Sequence, residues 1–265
     1  AKVDQYGLVR DNLSLSLAGY QAMAPGLTLL SKVPANADAT LAGETAGLWQ
    51  SVNGLLEGGS AKRQLSKLIA RTWSPRLRTL GYDAKAGEPL TDTKLRAELI
   101  STLGSAGDAG VVKEARRRLQ ALNGNPAALD GPLKPTWLSV AASNANRSDW
   151  ELLKRQAMQS TGLVERQLYY SSLGLARDPA LAKDALALAV SDTPDPTSAP
   201  QIITSVAQNH PEMAFDFVRA NQQKIDSLVG QSGRARFFSR VVGTSTNPDM
   251  VAKIEAYAAM LPEDE

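Results

Sequence analysis

The residue types that carry catalysis are scarce in this chain. Histidine occurs once, at His210, and cysteine does not occur. A zinc peptidase of the H-E-x-x-H type needs two imidazoles one helical turn apart, so that site cannot be assembled from this sequence. The absence of cysteine excludes thiol nucleophiles, zinc–thiolate sites and disulfides. A Ser–His–Asp triad would have to use His210, and no G-x-S-x-G elbow after a strand supports one. His210 precedes Pro211 at an expected helix start, where capping or facing solvent is the simpler role.

The other polar clusters read as architecture. Gly104 to Gly110 is glycine-rich but follows no strand and lacks the Lys-Ser/Thr of a phosphate loop, so it reads as a helix-to-helix turn. Arg116, Arg117 and Arg118 are adjacent, and adjacent positions on a helix point around half its circumference, which favours a solvated face. Asp192 and Asp195 lie in a proline loop and make turns. Arg234 lies beside a better-spaced pair, Arg236 and Arg240. Four residues apart, these two share one helical face and are the candidate contacts for a substrate carboxylate. No residue is assigned to catalysis, to a cofactor or to a metal.

The elements that must position these residues are helices. From Thr161 to Val229 four short helical patterns follow one another, each closed by its own turn signal. Leu181, Ala185 and Leu188 repeat at helical spacing between Arg177-Asp178-Pro179 and Thr193-Pro194-Asp195-Pro196. A further helix from Pro211 places Val218, Gln222, Ile225 and Val229 on one face. Asp178 before Pro179 and Asn247 before Pro248 are N-cap signatures, since proline gives up an N–H that has no partner in the first turn.

Upstream, a first helix is expected from Asp4 to Ala24, with Leu8, Asn12, Leu15 and Gly19 on one face and Pro25-Gly26 ending it. Asp38 opens the next, through Leu41, Leu48, Val52 and Leu55. Ser60 caps a helix bearing Leu65, Ile69, Trp73 and Leu77. Asp92 starts one that Gly104 stops, and Val111, Ala115, Leu119 and Leu122 mark the next. Ser148 and Glu151 form a capping box. No sustained period-2 run occurs, so roughly fourteen helices and almost no strand are expected. Helices this short cannot bury an apolar stripe alone and must stack on their neighbours. The expected fold is all-α, an α-α superhelix of antiparallel helix pairs of the armadillo/HEAT kind. Residues 1–265 read as one helical-repeat domain, with Asn123 to Pro135 the only seam.

Composition sets outer bounds. The formal charge is +2 with 43% hydrophobic residues. That balance, with no basic stripe visible in the sequence, argues against nucleic acid and an anionic membrane as partners. No apolar run approaches the ~18 residues that span a bilayer. The compartment is left open between bacterial cytoplasm and periplasm. The start at Ala1 without an initiator methionine suggests a piece excised from a longer protein.

Three strings carry a resemblance. The first is Glu165-Arg166 followed by Leu175-Ala176-Arg177-Asp178-Pro179-Ala180-Leu181 and Ala185-Leu186-Ala187-Leu188. The second is Phe215-Asp216-Phe217-Val218-Arg219-Ala220-Asn221, and the third is the opening Asp4 to Asn12 with Leu17-Ala18-Gly19. Together they resemble the helical C-terminal domain of gluzincin aminopeptidases, the family of aminopeptidase N, puromycin-sensitive aminopeptidase and the endoplasmic-reticulum aminopeptidases. The resemblance implies a superhelical bowl that closes over a separate catalytic domain of the same polypeptide. That domain would supply the zinc, its ligands and the G-x-M-E-N motif, none of which is in this sequence. The partners so implied are the catalytic domain and peptide substrates. The competing expectation is a stand-alone helical-repeat scaffold that binds a protein.

Overall fold

Turn signals spaced every ten to twenty residues do produce a helical chain. The computed structural model describes residues 2–56, 58–125, 127–230 and 233–260, and fifteen α-helices and no strand occur among them. They are α1 (Lys2–Leu17), α2 (Met23–Ser31), α3 (Ala39–Gly54), α4 (Gly59–Leu80), α5 (Leu90–Ser105), α6 (Ala109–Ala121) and α7 (Lys134–Ser143). There follow α8 (Arg147–Gln159), α9 (Leu163–Leu173), α10 (Pro179–Ala189), α11 (Ala199–Ala207), α12 (Pro211–Ala220), α13 (Gln222–Val229), α14 (Arg234–Val242) and α15 (Asp249–Ala258). The fold is all-α. By packing the chain forms two units, Ala1–Arg117 with Ala127–Val140, and Arg118–Pro126 with Ala141–Glu265.

In the first unit α3 packs on α5, α4 on both, and α1 on α2 and α3. The core is built from residues at helical spacing: Ile69, Trp73 and Leu77 of α4 and Leu95, Leu99 and Leu103 of α5 are all buried. Each large side chain so buried contributes about 1.5–3 kcal/mol relative to exposure. One charge lies in this unit's interior. Arg96 on α5 is fully buried and forks onto both carboxylate oxygens of Glu88. Its Nε donates to the Gly81 carbonyl at 3.0 Å and its Nη2 to Leu80 at 3.2 Å. These are carbonyls left over at the end of α4, so the guanidinium closes that helix and holds the loop to α5 at once. The fork from Arg96, with the Thr93 hydroxyl adding to it, holds the Glu88 carboxyl at about 2.

In the second unit helix pairs stack on the next pair. α9 packs on α8 and α11, α11 on α10, α12 and α14, and α14 on α12 and α13. Ala182, Ala185 and Ala189 of α10 and Ala199 and Ala207 of α11 are buried, which lets these helices approach closely. Closest of all is Gly174 at the end of α9. A Cβ there would sit 2.5 Å from the Ile202 carbonyl oxygen and 2.9 Å from the Val206 nitrogen.

Several boundaries differ from the sequence expectation. The first helix ends at Leu17, and Gly19 turns the chain with φ +79. Pro25 and Gly26 fall in the first turn of α2, where a missing N–H costs nothing. The buried face of α1 is Val9, Leu13 and Ser16, while Leu8 is 57% exposed. Ser60 lies inside α4, whose N-cap is Gly58, and Gly104 lies inside α5 against Val140. The capping box is formed by Asn146 and Asp149, two residues before the expected pair: each side chain accepts from the other's backbone N–H, at 2.9 and 3.2 Å. The helix from Pro211 breaks at Asn221 into α12 and α13. At α15 the N-cap is Pro248, though the Asn247 side chain accepts from the Asp249 N–H at 3.0 Å.

Candidate functional site

Among the described residues no three His, Asp or Glu side chains gather as a metal would require. His210 is engaged in structure. Its Nε2 lies 3.0 Å from the Ala176 carbonyl oxygen, which can only accept, so Nε2 carries the hydrogen. It occupies the N-cap position of α12, yet its side chain makes no cap there. The glycine-rich stretch is a helix-to-helix turn with Gly107 at φ +78. Asp108 closes it, accepting from the Gly110 and Val111 N–H groups at 3.0 Å each and from the Ser74 hydroxyl at 2.8 Å. Arg117 forks onto Glu114 at 2.8 and 2.7 Å on its own helix. Asp195 makes the turn before α11: it accepts from the Thr197 and Ser198 N–H groups and the Ser198 hydroxyl. Burial alone would raise its pKa, but the hydrogen bonds from Thr197 and Ser198 outweigh it and hold the carboxyl below its ordinary range.

His210 belongs to a ladder that sequence reasoning missed. The loop between α7 and α8 receives the Arg177 N–H at the Ser143 carbonyl, 3.4 Å, and the Arg177 guanidinium at Asn144, 3.3 Å. The loop between α9 and α10 receives Asn209 at the Leu175 carbonyl, 2.8 Å, and His210 at Ala176. The loop between α11 and α12 receives the Thr244 hydroxyl at the Ala207 carbonyl, 2.7 Å, and Ser245 donates to Glu212 beside it. Each loop is thus bonded to the loop of the next helix pair, over sequence separations of 33 to 37 residues. The Ser143 and Ala207 carbonyls are those that the ends of α7 and α11 leave unpaired, and the Leu175 and Ala176 carbonyls lie in the loop just past α9. The signal available in the sequence was the recurrence of a polar residue before proline, at Asp178-Pro179, His210-Pro211 and Asn247-Pro248. The Asp178 side chain does cap α10, accepting from the Ala180 N–H at 2.8 Å.

Arg236 and Arg240 lie together on one exposed face of α14. The neighbouring face of that helix, about 100° round its axis, buries Phe237 and Val241. Arg234 does not join them, because its Nε meets Asp226 at 3.0 Å. α14 is fixed by an aromatic cluster. Phe238 stacks on Tyr257 of α15 with ring centres 4.5 Å apart and meets Phe215 of α12 edge-on at 5.4 Å. Arg219 covers the Tyr257 ring at 5.5 Å. This geometry is able to hold two guanidinium groups side by side in water on a rigid helix.

The comparison with known proteins then decides the family. Residues 1–263 match the ERAP1-like C-terminal domain. The chain belongs to that family. It is 27% identical over 270 residues to Aminopeptidase M1 of Arabidopsis thaliana, covering 97% of this chain and 30% of that protein. Aminopeptidase M1-D of Oryza sativa subsp. japonica is 24% identical over 264 residues, with the same coverage of 97% and 30%. Aminopeptidase M1-B of the same plant is 21% identical over 265 residues. This ERAP1-like C-terminal domain therefore spans about 30% of the length of the curated relatives it matches. The three strings that carry the resemblance fall on α1 with the turn after it, on α9 through α10, and on α12 with Asn221. In the ERAP1-like domain described here, the bonds from Asn209 and His210 tie the second of these regions to the loop that leads into α12.

Proposed function

We propose that this chain is the non-catalytic C-terminal domain of a zinc metallo-aminopeptidase, where it encloses the active-site chamber and helps to bind or gate peptide substrates. The observation that carries the reading is a family match across residues 1–263 to relatives named aminopeptidases, of which the chain spans only 30%. The residues present do not fit a zinc centre. The one histidine uses its ring on a backbone carbonyl, and there is no cysteine. Zinc and the groups that activate water belong, in this reading, to the catalytic domain of the same polypeptide.

The part left to this chain is recognition away from the bond being cut. A stack of helix pairs offers a broad surface, and the loop-to-loop hydrogen bonds of the second unit hold successive pairs at fixed spacing. Arg236 and Arg240 are assigned to the distal carboxylate of a peptide, which two adjacent guanidinium groups attract through charge and hydrogen bonds. The test is Arg236→Gln with Arg240→Gln in the parent enzyme, assayed on a peptide and on a single-residue chromogenic substrate. An exposed ionic contact contributes about 0.2–1 kcal/mol, so kcat/KM for the peptide falls roughly 1.4- to 5-fold per arginine. The chromogenic substrate is unaffected. Equal losses on both substrates, or none on either, would remove these arginines from the substrate path.

A further inference from the structure

The net charge of +2 conceals a long helix of uniform sign. α4 carries Lys62, Arg63, Lys67, Arg71, Arg76 and Arg78 and no Asp or Glu. At about 100° per residue, Arg63, Lys67, Arg71 and Arg78 fall within an arc of about 80° along about 22 Å of helix. All four are exposed. None of the four enters an ion pair among the described residues. The sequence reading that basic residues form no stripe is corrected here. Cations four apart are inconspicuous as a run of letters, and folding brings them into line.

We infer that this face of α4 docks an acidic, amphipathic helical segment of a protein partner. The charge pattern recommends a helix. Arg63, Lys67 and Arg71 recur at one helical turn, about 6 Å apart, the spacing at which Asp or Glu recurs along a partner helix. The border of the stripe recommends an amphipathic segment. Leu68 is 41% exposed on its flank and Pro75 is exposed beyond it, so an apolar contact runs alongside the ionic one. The stripe is also rigid, because the other side of α4 is anchored by Ile69, Trp73 and Leu77, each at most 2% exposed.

Two other polyanions fit less well. A lipid surface is bound by helices whose apolar face enters the bilayer, and the apolar face of α4 is already packed against the first unit's core. A single-stranded nucleic acid would find no aromatic side chain to stack on, since Trp73, the one aromatic residue of α4, is buried.

The test is fluorescence anisotropy with the whole chain and a labelled helical peptide of about 20 residues, bearing glutamate at every fourth position and leucine beside it. The peptide binds, and binding weakens as salt rises from about 50 to about 300 mM. The variant Arg63→Gln, Lys67→Gln, Arg71→Gln, Arg78→Gln keeps the far-ultraviolet helix signal and binds about tenfold more weakly. Leu68→Ser lowers affinity while leaving the salt dependence in place. A peptide with glutamine in place of glutamate does not bind. The proposal is overturned by equal binding of the fourfold variant, by binding of the glutamine peptide, or by absence of binding to the wild-type chain. Tighter capture of an oligonucleotide or of phosphatidylserine vesicles than of the acidic peptide also overturns it.

Discussion

Gly174→Ala isolates the close packing on which the second unit depends. Gly174 ends α9 with φ −71 and ψ −17, a conformation that alanine adopts without strain. In an open position this substitution would stabilise by about 0.4–1 kcal/mol, because alanine loses less backbone freedom on folding. Gly174 is not open. Its Cβ would lie 2.5 Å from the Ile202 oxygen, 2.7 Å from the Ser205 Cβ and 2.9 Å from the Val206 nitrogen. Two of these atoms are backbone of α11, so no rotamer change relieves them. α9 and α11 must separate by several tenths of an ångström, an overpacking cost of about 1–3 kcal/mol. The same displacement stretches the bonds from Asn209 to Leu175 and from His210 to Ala176, each contributing about 0.5–1.5 kcal/mol. The net expectation is destabilisation of about 1–3 kcal/mol. Urea unfolding followed by circular dichroism measures it as a lower midpoint at unchanged slope. Gly7→Ala is the control: Gly7 lies within α1 with nothing within 4 Å of the added Cβ, so it should stabilise by about 0.5–1 kcal/mol. If Gly174→Ala proves as stabilising as Gly7→Ala, the close approach of α9 and α11 is refuted.

Other perturbations address the core and its charges. Ile225→Ala removes a buried side chain from α13 and should cost about 2–5 kcal/mol by urea unfolding, a change under about half a kcal/mol showing that this face is not packed. Glu88, held at about 2 against an ordinary 4.5, contributes stability that is complete above 4.5 and lost as pH falls toward 2; Glu88→Gln should remove that acid dependence. Glu98 behaves oppositely: burial, with the Glu44 carboxylate adding to it, raises its pKa, so its charged form penalises the fold above that pKa and the penalty vanishes below 4.5. Glu98→Gln should therefore raise the urea midpoint at neutral pH and leave it unchanged near pH 4.

The helical architecture was legible because its punctuation is local. Asp178 before Pro179 caps and starts α10 within a few residues of chain, and Leu181, Ala185 and Leu188 are buried at the spacing the sequence shows. Ambiguity entered where one signal serves two purposes. Pro25-Gly26 fits a helix end as well as a first turn, and the positive φ of Gly19 decided between them. Asn221 divides α12 from α13 without a proline or glycine to mark it. The loop ladder could not be read at all, since Asn209 and Leu175 meet only when successive helix pairs stack. The stripe on α4 was hidden for a related reason. Its cations are spread along the helix four to seven residues apart, whereas Arg116, Arg117 and Arg118 are adjacent and Arg117 is spent on Glu114.

The most direct measurement of the functional claim is aminopeptidase activity of this chain alone, beside that of the zinc aminopeptidase proposed as its parent. The purified chain is incubated with an aminoacyl chromogenic substrate, with and without added zinc, and release of the chromophore is followed. With one histidine, whose ring nitrogen is engaged by the Ala176 carbonyl, the chain should release none under either condition, while the parent does so in a zinc-dependent manner. Zinc-dependent release by the chain alone would contradict the account.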